Sequence, residues 1–281
     1  TGAARGLGAG YARECARRGA GLVLTDIDVA ELGAVVAEIV AAGGRAIAVP
    51  GDITDPAFLD EVATTTVSAY GGLHGWVNNA GIEVLQPVGA IDIDRTRRLI
   101  EVNLLGTILG TAAAARGMSS GGAIVNTASG SMFGMAHLSA YGATKAGVVA
   151  LTVAASIELA ERGIRVNALS PLASTRMSDQ ADRYHAARYG RPVTDRSGMA
   201  SADSIASALV YLVSDASAAL TGQVIRFDGR TLTTVRRAHV EEELAQHADS
   251  WTAEAIAEAA AGPLSGAWER GSFASPSVPL T

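Results

Sequence analysis

Tyr141 and Lys145 stand four residues apart in Ser139-Ala140-Tyr141-Gly142-Ala143-Thr144-Lys145. On an α-helix that spacing projects both side chains from one face. A phenol ordinarily titrates near pH ~10, too high for proton exchange at neutral pH. A neighbouring ammonium favours the phenolate, so the pair predicts a phenol of lowered pKa, fit to act as general acid/base on a carbinol or carbonyl oxygen. Ser129 offers a hydroxyl to the same oxygen, with Ser131 in reserve. A bare Tyr-x3-Lys more often marks a half-exposed phenol beside a solvated amine, so its meaning depends on its company.

That company includes a Gly-rich segment, Thr1-Gly2-Ala3-Ala4-Arg5-Gly6-Leu7-Gly8. Glycines let a backbone turn tightly against a pyrophosphate, and the N-terminus of a following helix stabilises the negative charge. The spacing Gly-x3-Gly-x-Gly differs from the common Gly-x-Gly-x2-Gly pattern. Asp26 strengthens the reading, because it ends an apolar run 18 positions after Gly8. An acid there accepts both hydroxyls of an adenosine ribose and repels a 2′-phosphate, which favours NAD. Arg5 argues the other way, since guanidinium pairs well with phosphate, so NADP stays open. Ile27 follows Asp26, and Asp52 and Ile53 end the next apolar run, where they flank an adenine ring. Asn78-Asn79-Ala80-Gly81 places small residues where bulk would block a cofactor. The positive ring of an oxidised nicotinamide would add to the acidity of Tyr141.

The elements that must position these residues alternate. Helical patterns are expected over Leu7–Arg18, Ala30–Ala42, Pro56–Tyr70, Asp94–Arg116, Ala140–Glu161 and Ala202–Val213. Strands are expected over Gly21–Asp26, Ala46–Val49, Gly75–Asn78, Ala123–Asn126, Ile164–Leu169 and Gln223–Phe227. Parallel neighbours need crossover connections, so the pattern predicts an α/β, doubly wound, Rossmann-type parallel sheet. Ligands then sit outside the carboxyl ends of the strands. The Gly-rich loop should follow a buried strand; none precedes it, and the first strand reads as truncated. The Rossmann-type domain is expected over residues 1–230 and a C-terminal extension over 231–281, the latter with a helix at 252–260 and two apolar anchors, Trp251 and Trp268.

Composition narrows the function. An apolar share of 48% and a charged share of 18% suit a sizeable core. Lys+Arg 22 against Asp+Glu 28 gives a net charge of −6 with no basic block, which argues against nucleic acid and anionic membranes as partners. The lone Cys15 reads as a packed helix residue, and the five scattered histidines suggest no metal site. Without a signal peptide or an apolar run of about 18 residues, a cytoplasmic location is expected.

Taken together, Thr1 to Gly8, Asp52, Asn78 to Gly81, Asn103, Ser129 and Tyr141-Gly-Ala-Thr-Lys145 stand in the order that resembles the short-chain dehydrogenase/reductase family, over residues 1 to about 229. The resemblance implies that Tyr141 is the acid/base and that Lys145 lowers its pKa and holds the nicotinamide ribose. It implies that Ser129 stabilises the substrate oxygen and that Asn103 holds a water linking Lys145 to solvent. Ser129 lies 12 positions before Tyr141, one short of the usual interval. Pro171-Leu-Ala-Ser-Thr-Arg-Met177 is similar to hydroxyacyl-CoA dehydrogenase units, which implies that Ser174 and Thr175 meet the nicotinamide carboxamide and that an acyl thioester is a candidate substrate.

The substrate is expected to be a small alcohol or carbonyl compound. Its specificity should come from residues 178–200, where Tyr184, His185 and Arg188 sit on a lid, and from Met132–Leu138, where His137 reads as an exposed loop residue. Small residues on the two long helices exceed what one sheet face needs, and the family pairs these helices between subunits, so a homodimer or homotetramer is expected. Two alternatives stay open: an NADPH-preferring carbonyl reductase of the 3-ketoacyl type, and a catalytically silent nucleotide-binding protein.

Overall fold

The computed structural model describes residues 1–119, 121–190, 199–236, 252 and 258. The chain divides into two compact units, Thr1–Val235 and Arg236–Thr281. Trp251, Trp268 and most of the helix expected at 252–260 lie outside the described residues.

The first unit alternates as the apolar pattern requires. Helix α1 (Gly6–Arg17) leads into β1 (Gly21–Leu24), α2 (Val29–Ala41), β2 (Arg45–Ala48), α3 (Pro56–Tyr70) and β3 (Gly75–Asn78). Then come α4 (Ile93–Ile100), α5 (Gly106–Gly117), β4 (Gly122–Thr127), α6 (Ser139–Glu158) and β5 (Ile164–Pro171). The unit closes with α7 (Arg176–Tyr189), α8 (Ala202–Val213), β6 (Val224–Phe227) and β7 (Leu232–Val235). Local chemistry sets several starts. Asp55 accepts the Ala57 N–H at 2.9 Å with Pro56 in the first turn of α3, and Asp28 and Asp92 cap α2 and α4 in the same way.

Strands β3-β4-β5-β6 pair in parallel, and β1 pairs in parallel with β2. Helices α1, α2 and α8 cover one face, where Leu32, Ile39, Ile205, Leu209 and Leu212 are buried. Helices α3, α5 and α6 cover the other, over Leu59, Met118, Ile124 and Val166. β1 and β3 belong to separate hydrogen-bonded sheets, and a cavity of about 130 Å³ lined by both strands lies between them. The Thr1 nitrogen donates to the Val77 carbonyl at 3.0 Å beside this cavity. Burial, with the charge of Glu14 behind it, pushes the Cys15 thiol up to about 11.

Three expectations change. Residues 94–116 do not form one regular helix: a π turn over Glu101–Leu105 separates α4 from α5, closed by the Gly106 N–H on the Glu101 carbonyl. One extra residue in a turn rotates the face presented and brings Asn103 into the interior. The sheet does not end at 230 either, because β7 pairs antiparallel to β6, with Val224 opposite Val235 and Phe227 opposite Leu232. Finally, the segment expected as a lid opens with a regular helix, α7; residues 191–198 lie outside the described residues.

Candidate active site

The Gly-rich loop is held from two sides. The Thr1 hydroxyl accepts the N–H groups of Asn79 and Ala80 at 3.1 and 3.0 Å, and the Asn79 amide donates to the carbonyls of Thr1 and Gly2 at 3.0 and 3.1 Å. A Cβ on Gly2 would fall 2.7 Å from Ala80 Cα, and one on Gly8 would fall 2.0 Å from the Gly2 carbonyl oxygen. These glycines are thus demanded by the approach of two backbones. Gly6 differs. It has φ +53° and open space where a Cβ would stand, and among the described residues no side chain caps the α1 N-terminus that it and Leu7 begin. An uncapped helix N-terminus under an open Gly turn fits a dinucleotide pyrophosphate.

Asp26 closes the far side of the loop. Its Oδ2 accepts the Ala4 N–H and its Oδ1 the Asp28 N–H, both at 3.0 Å. Arg5 is ion-paired with Asp28. Ile27 is 70% exposed and offers an apolar surface beside Asp26. Asp52 accepts the Thr54 N–H at 2.9 Å and the Arg98 guanidinium at 2.7 Å. Burial works against its ionisation, but those bonds outweigh it and hold the carboxyl below its ordinary value. Ile53 corrects an expectation. Its side chain is buried against the position of Gly106, so only its backbone can flank a ligand at this strand end.

The chemical end lies where β3, β4 and α6 converge. Tyr141 and Lys145 share one face of α6, 7% and 4% exposed respectively, with Lys145 Nζ 5.8 Å from the phenol ring centre. Lys145 donates to the Thr127 carbonyl at 2.7 Å. Ser129 contacts the Tyr141 phenol, while Ser131, buried behind it, donates its hydroxyl to Ser129 Oγ at 3.1 Å. This arrangement separates the two serines: Ser129 faces Tyr141 and Ser131 supports Ser129. Asn103 is fully buried, and its amide pairs both ways with the Ile82 backbone at 2.8 Å. Gly81 sits beside it; a Cβ there would lie 3.3 Å from Asn103 Oδ1 and 3.8 Å from Lys145 Nζ. Ser174 and Thr175 lie in the turn from β5 into α7, with the Ser174 N–H on the Ala200 carbonyl and the Asp179 N–H on Thr175.

The electrostatics of this end run against the simple expectation of a lowered phenol. Burial holds Tyr141 above its ordinary value, the charge of Glu83 raises it further, and only the Ser129 hydroxyl pulls it down. Burial also lowers Lys145, to about 8. The physical reason is desolvation: taking either group out of water disfavours its charged form, and the ammonium spends a strong hydrogen bond on a carbonyl. The chain's own groups therefore keep the phenol protonated.

Tyr141 packs into an apolar wall with Val84, Leu85, Leu138, Met177, Ala181 and Tyr184, and Met177 Sδ lies 3.9 Å from its hydroxyl. His137 is half-buried with φ +65°, hydrogen-bonded to Tyr189 and 3.4 Å from the Tyr184 hydroxyl. It is tied into α7 instead of standing free in its loop. His185 is 7% exposed and stacks on Tyr189, so it is not an open lid residue; Arg188 remains exposed and donates to Tyr189 at 3.3 Å.

Sequence reasoning missed Glu83, Met177 and a buried network. In that network Asn78 joins Trp76, Thr111 and Asn126, and Asn126 joins Thr152. The acid of Glu83 inside the apolar run Gly81-Ile82-Glu83-Val84-Leu85 was the available signal.

Comparison with known proteins gives the family. Residues 2–229 match the family model described as enoyl-(acyl carrier protein) reductase. The (2S)-[(R)-hydroxy(phenyl)methyl]succinyl-CoA dehydrogenase subunit BbsD of Thauera aromatica is 38% identical over 232 residues, covering 80% of this chain and 92% of that protein. Cyclohexanol dehydrogenase of an Acinetobacter strain is 33% identical over 243 residues, covering 82% and 92%. A crystal structure of a short chain dehydrogenase from Mycobacterium avium aligns with a TM-score of 0.81 at 28% identity, covering 94% and 93% of the two chains. Fold and site define a pyridine-nucleotide-dependent oxidoreductase that acts on CH–OH groups. The chain belongs to the short-chain dehydrogenase/reductase family.

Proposed function

We propose that this protein is an NAD-preferring dehydrogenase of ring-bearing secondary alcohols, interconverting them with their ketones through Tyr141. The observation that carries the reading is the convergence of Tyr141, Ser129 and Lys145 beneath an apolar wall. A wall with one polar end receives a bulky apolar substrate and points its single oxygen at the phenol. Relatives named for cyclohexanol, cis-4-hydroxycyclohexanecarboxylate and 3β-hydroxysteroid share that chemistry.

A bound nicotinamide supplies the hydride acceptor or donor, and a positive ring charge when oxidised. The chain's residues do the rest. Tyr141 holds the proton that passes to or from the substrate oxygen at its phenolic oxygen. Ser129 Oγ, steadied by Ser131, orients that oxygen. Lys145 presents a buried ammonium to the nicotinamide ribose, with Ser174 and Thr175 serving the carboxamide side. Asn103 fixes Ile82 and Gly81 next to Lys145, so that proton passage toward solvent runs along this wall. Gly6 and the α1 N-terminus would receive the pyrophosphate, with Gly2 and Gly8 packing the turn behind it, and Asp26 the adenosine ribose, with Ile27, Asp52, the Ile53 backbone, Asn79 and Ala80 around it. Arg5 is occupied by Asp28, which favours NAD over NADP. We place the reaction in the cytoplasm. Ile100, Leu105, Ile108 and Ile157 are 40–69% exposed on the long helices, which fits a homodimer or homotetramer.

A second reading keeps the chemistry and changes the substrate's tail. Relatives named for CoA thioesters, together with the Pro171–Met177 segment, favour an acyl thioester. One panel tests both. Cyclohexanol, a 3β-hydroxysteroid and a 3-hydroxyacyl-CoA are each offered with NAD and NADP while reduced nucleotide is followed. Turnover of ring alcohols with NAD is expected. Turnover of the thioester alone moves the assignment to the second reading, and no turnover with firm NAD binding defeats both.

A further inference from the structure

At the carboxyl end of β1 one guanidinium meets two carboxylates, Asp28 and Glu31, beside a third, Asp26, whose duties differ. Asp26 is clamped by two backbone N–H groups, Ala4 on Oδ2 and Asp28 on Oδ1. Asp28 is divided: Oδ1 accepts the Glu31 N–H at 3.2 Å and caps α2, while Oδ2 takes the Arg5 guanidinium. Glu31 Oε1 approaches the same guanidinium at 3.6 Å. The Arg5 and Asp28 side chains are 37% and 32% exposed, so the pair is open to a ligand arriving from solvent.

We infer that Asp28 is a specificity-determining residue for the dinucleotide: by holding Arg5 it withholds from a ribose 2′-phosphate the cation of the Gly-rich turn. The inference rests on the nucleotide reading given above. A phosphate at this place needs a charge-assisted, forked contact, and Arg5 is built for one. To make it, the phosphate must displace one carboxylate, approach a second and lie against Asp26. Each like charge opposes it, while an unphosphorylated ribose meets no such repulsion. Asp26 thus acts by direct contact and Asp28 acts through Arg5.

The D28N variant isolates this effect. Asparagine caps a helix as well as aspartate does, so the start of α2 survives while the charge that holds Arg5 goes. Calorimetric titration of NADH and NADPH into the parent protein, D28N, E31Q, R5Q and the R5Q/D28N double variant reads the result without turnover. D28N is expected to tighten NADPH binding about tenfold and to leave NADH within about threefold. R5Q/D28N should lose that gain, and E31Q should show a smaller gain of the same sign. NADPH binding unchanged in D28N, or a gain that survives in R5Q/D28N, overturns the inference while NADH binding by the parent keeps the nucleotide reading intact. A parent that binds neither nucleotide overturns both.

Discussion

The two ends of the site are built on opposite terms. At the nucleotide end, charges sit near water: Arg5, Asp28, Asp52 and Arg98 are roughly a third to two-fifths exposed and are held by ion pairs at the surface. At the chemical end Tyr141, Lys145 and Asn103 are buried, and their partners are backbone carbonyls, backbone N–H groups, the Ser129 and Thr144 hydroxyls and the Met177 sulfur. Exposed pairs are screened and contribute little to stability, so they can be exchanged cheaply to retune which ligand binds. Buried groups feel strong shifts and tolerate little, because an unpaired polar atom there costs its full desolvation. On the proposed reading, choice of ligand and chemistry are thereby separated within one fold.

The sharpest break in that comparison is Tyr141→Phe. Removing one buried hydroxyl should cut hydride transfer by about 10²- to 10⁴-fold while NADH affinity, measured by titration, stays within about twofold. Retained turnover would put the chemistry elsewhere. Next is the support beneath the site. Asn126→Ala leaves Asn78 and Thr152 short of a partner, and should lower unfolding stability by about 1–3 kcal/mol in denaturant titrations; a neutral result would contradict the tight terms ascribed to this end.

A pH profile tests the same burial more gently. Lys145 is lowered to about 8, so its ammonium is complete well below that pH and is lost as pH rises through it. Ketone reduction, which uses protonated Tyr141, should be level below pH 8 and fall above it. Glu83→Gln removes a charge that raises Tyr141, so the phenol should titrate lower in the variant, which absorbance titration would detect. The smallest effect belongs to the nucleotide end. Added salt should weaken the Arg5–Asp28 pair slightly and narrow the NADH-over-NADPH preference.

Much of this was legible before any coordinates. Alternating apolar runs specified the order of strands and helices, because parallel pairing demands crossovers, and the i, i+4 spacing placed Tyr141 and Lys145 on one face. What escaped was set by tertiary contact. The π turn at Asn103 leaves no periodicity signal, since one added residue hides inside an apolar helix. Strand β7 is short and pairs at an edge, so Leu232–Val235 read as the start of a tail. Asp28 carried no signal of its own in the sequence, and its hold on Arg5 exists only once the loop folds back over β1. The direction of the Tyr141 shift was missed for a related reason: spacing reports a nearby amine, whereas burial, the larger influence, depends on the whole surrounding wall.

The central claim is that the chain alone keeps Tyr141 protonated and that its acidity arrives with the oxidised nucleotide. Ultraviolet difference titration of the parent protein against Tyr141→Phe, with and without NAD⁺, measures this directly. The free protein should show no Tyr141 phenolate below about pH 10, and NAD⁺ should bring it down by about one unit or more. A phenolate near neutral pH without nucleotide, or a titration that NAD⁺ leaves unmoved, would contradict the account.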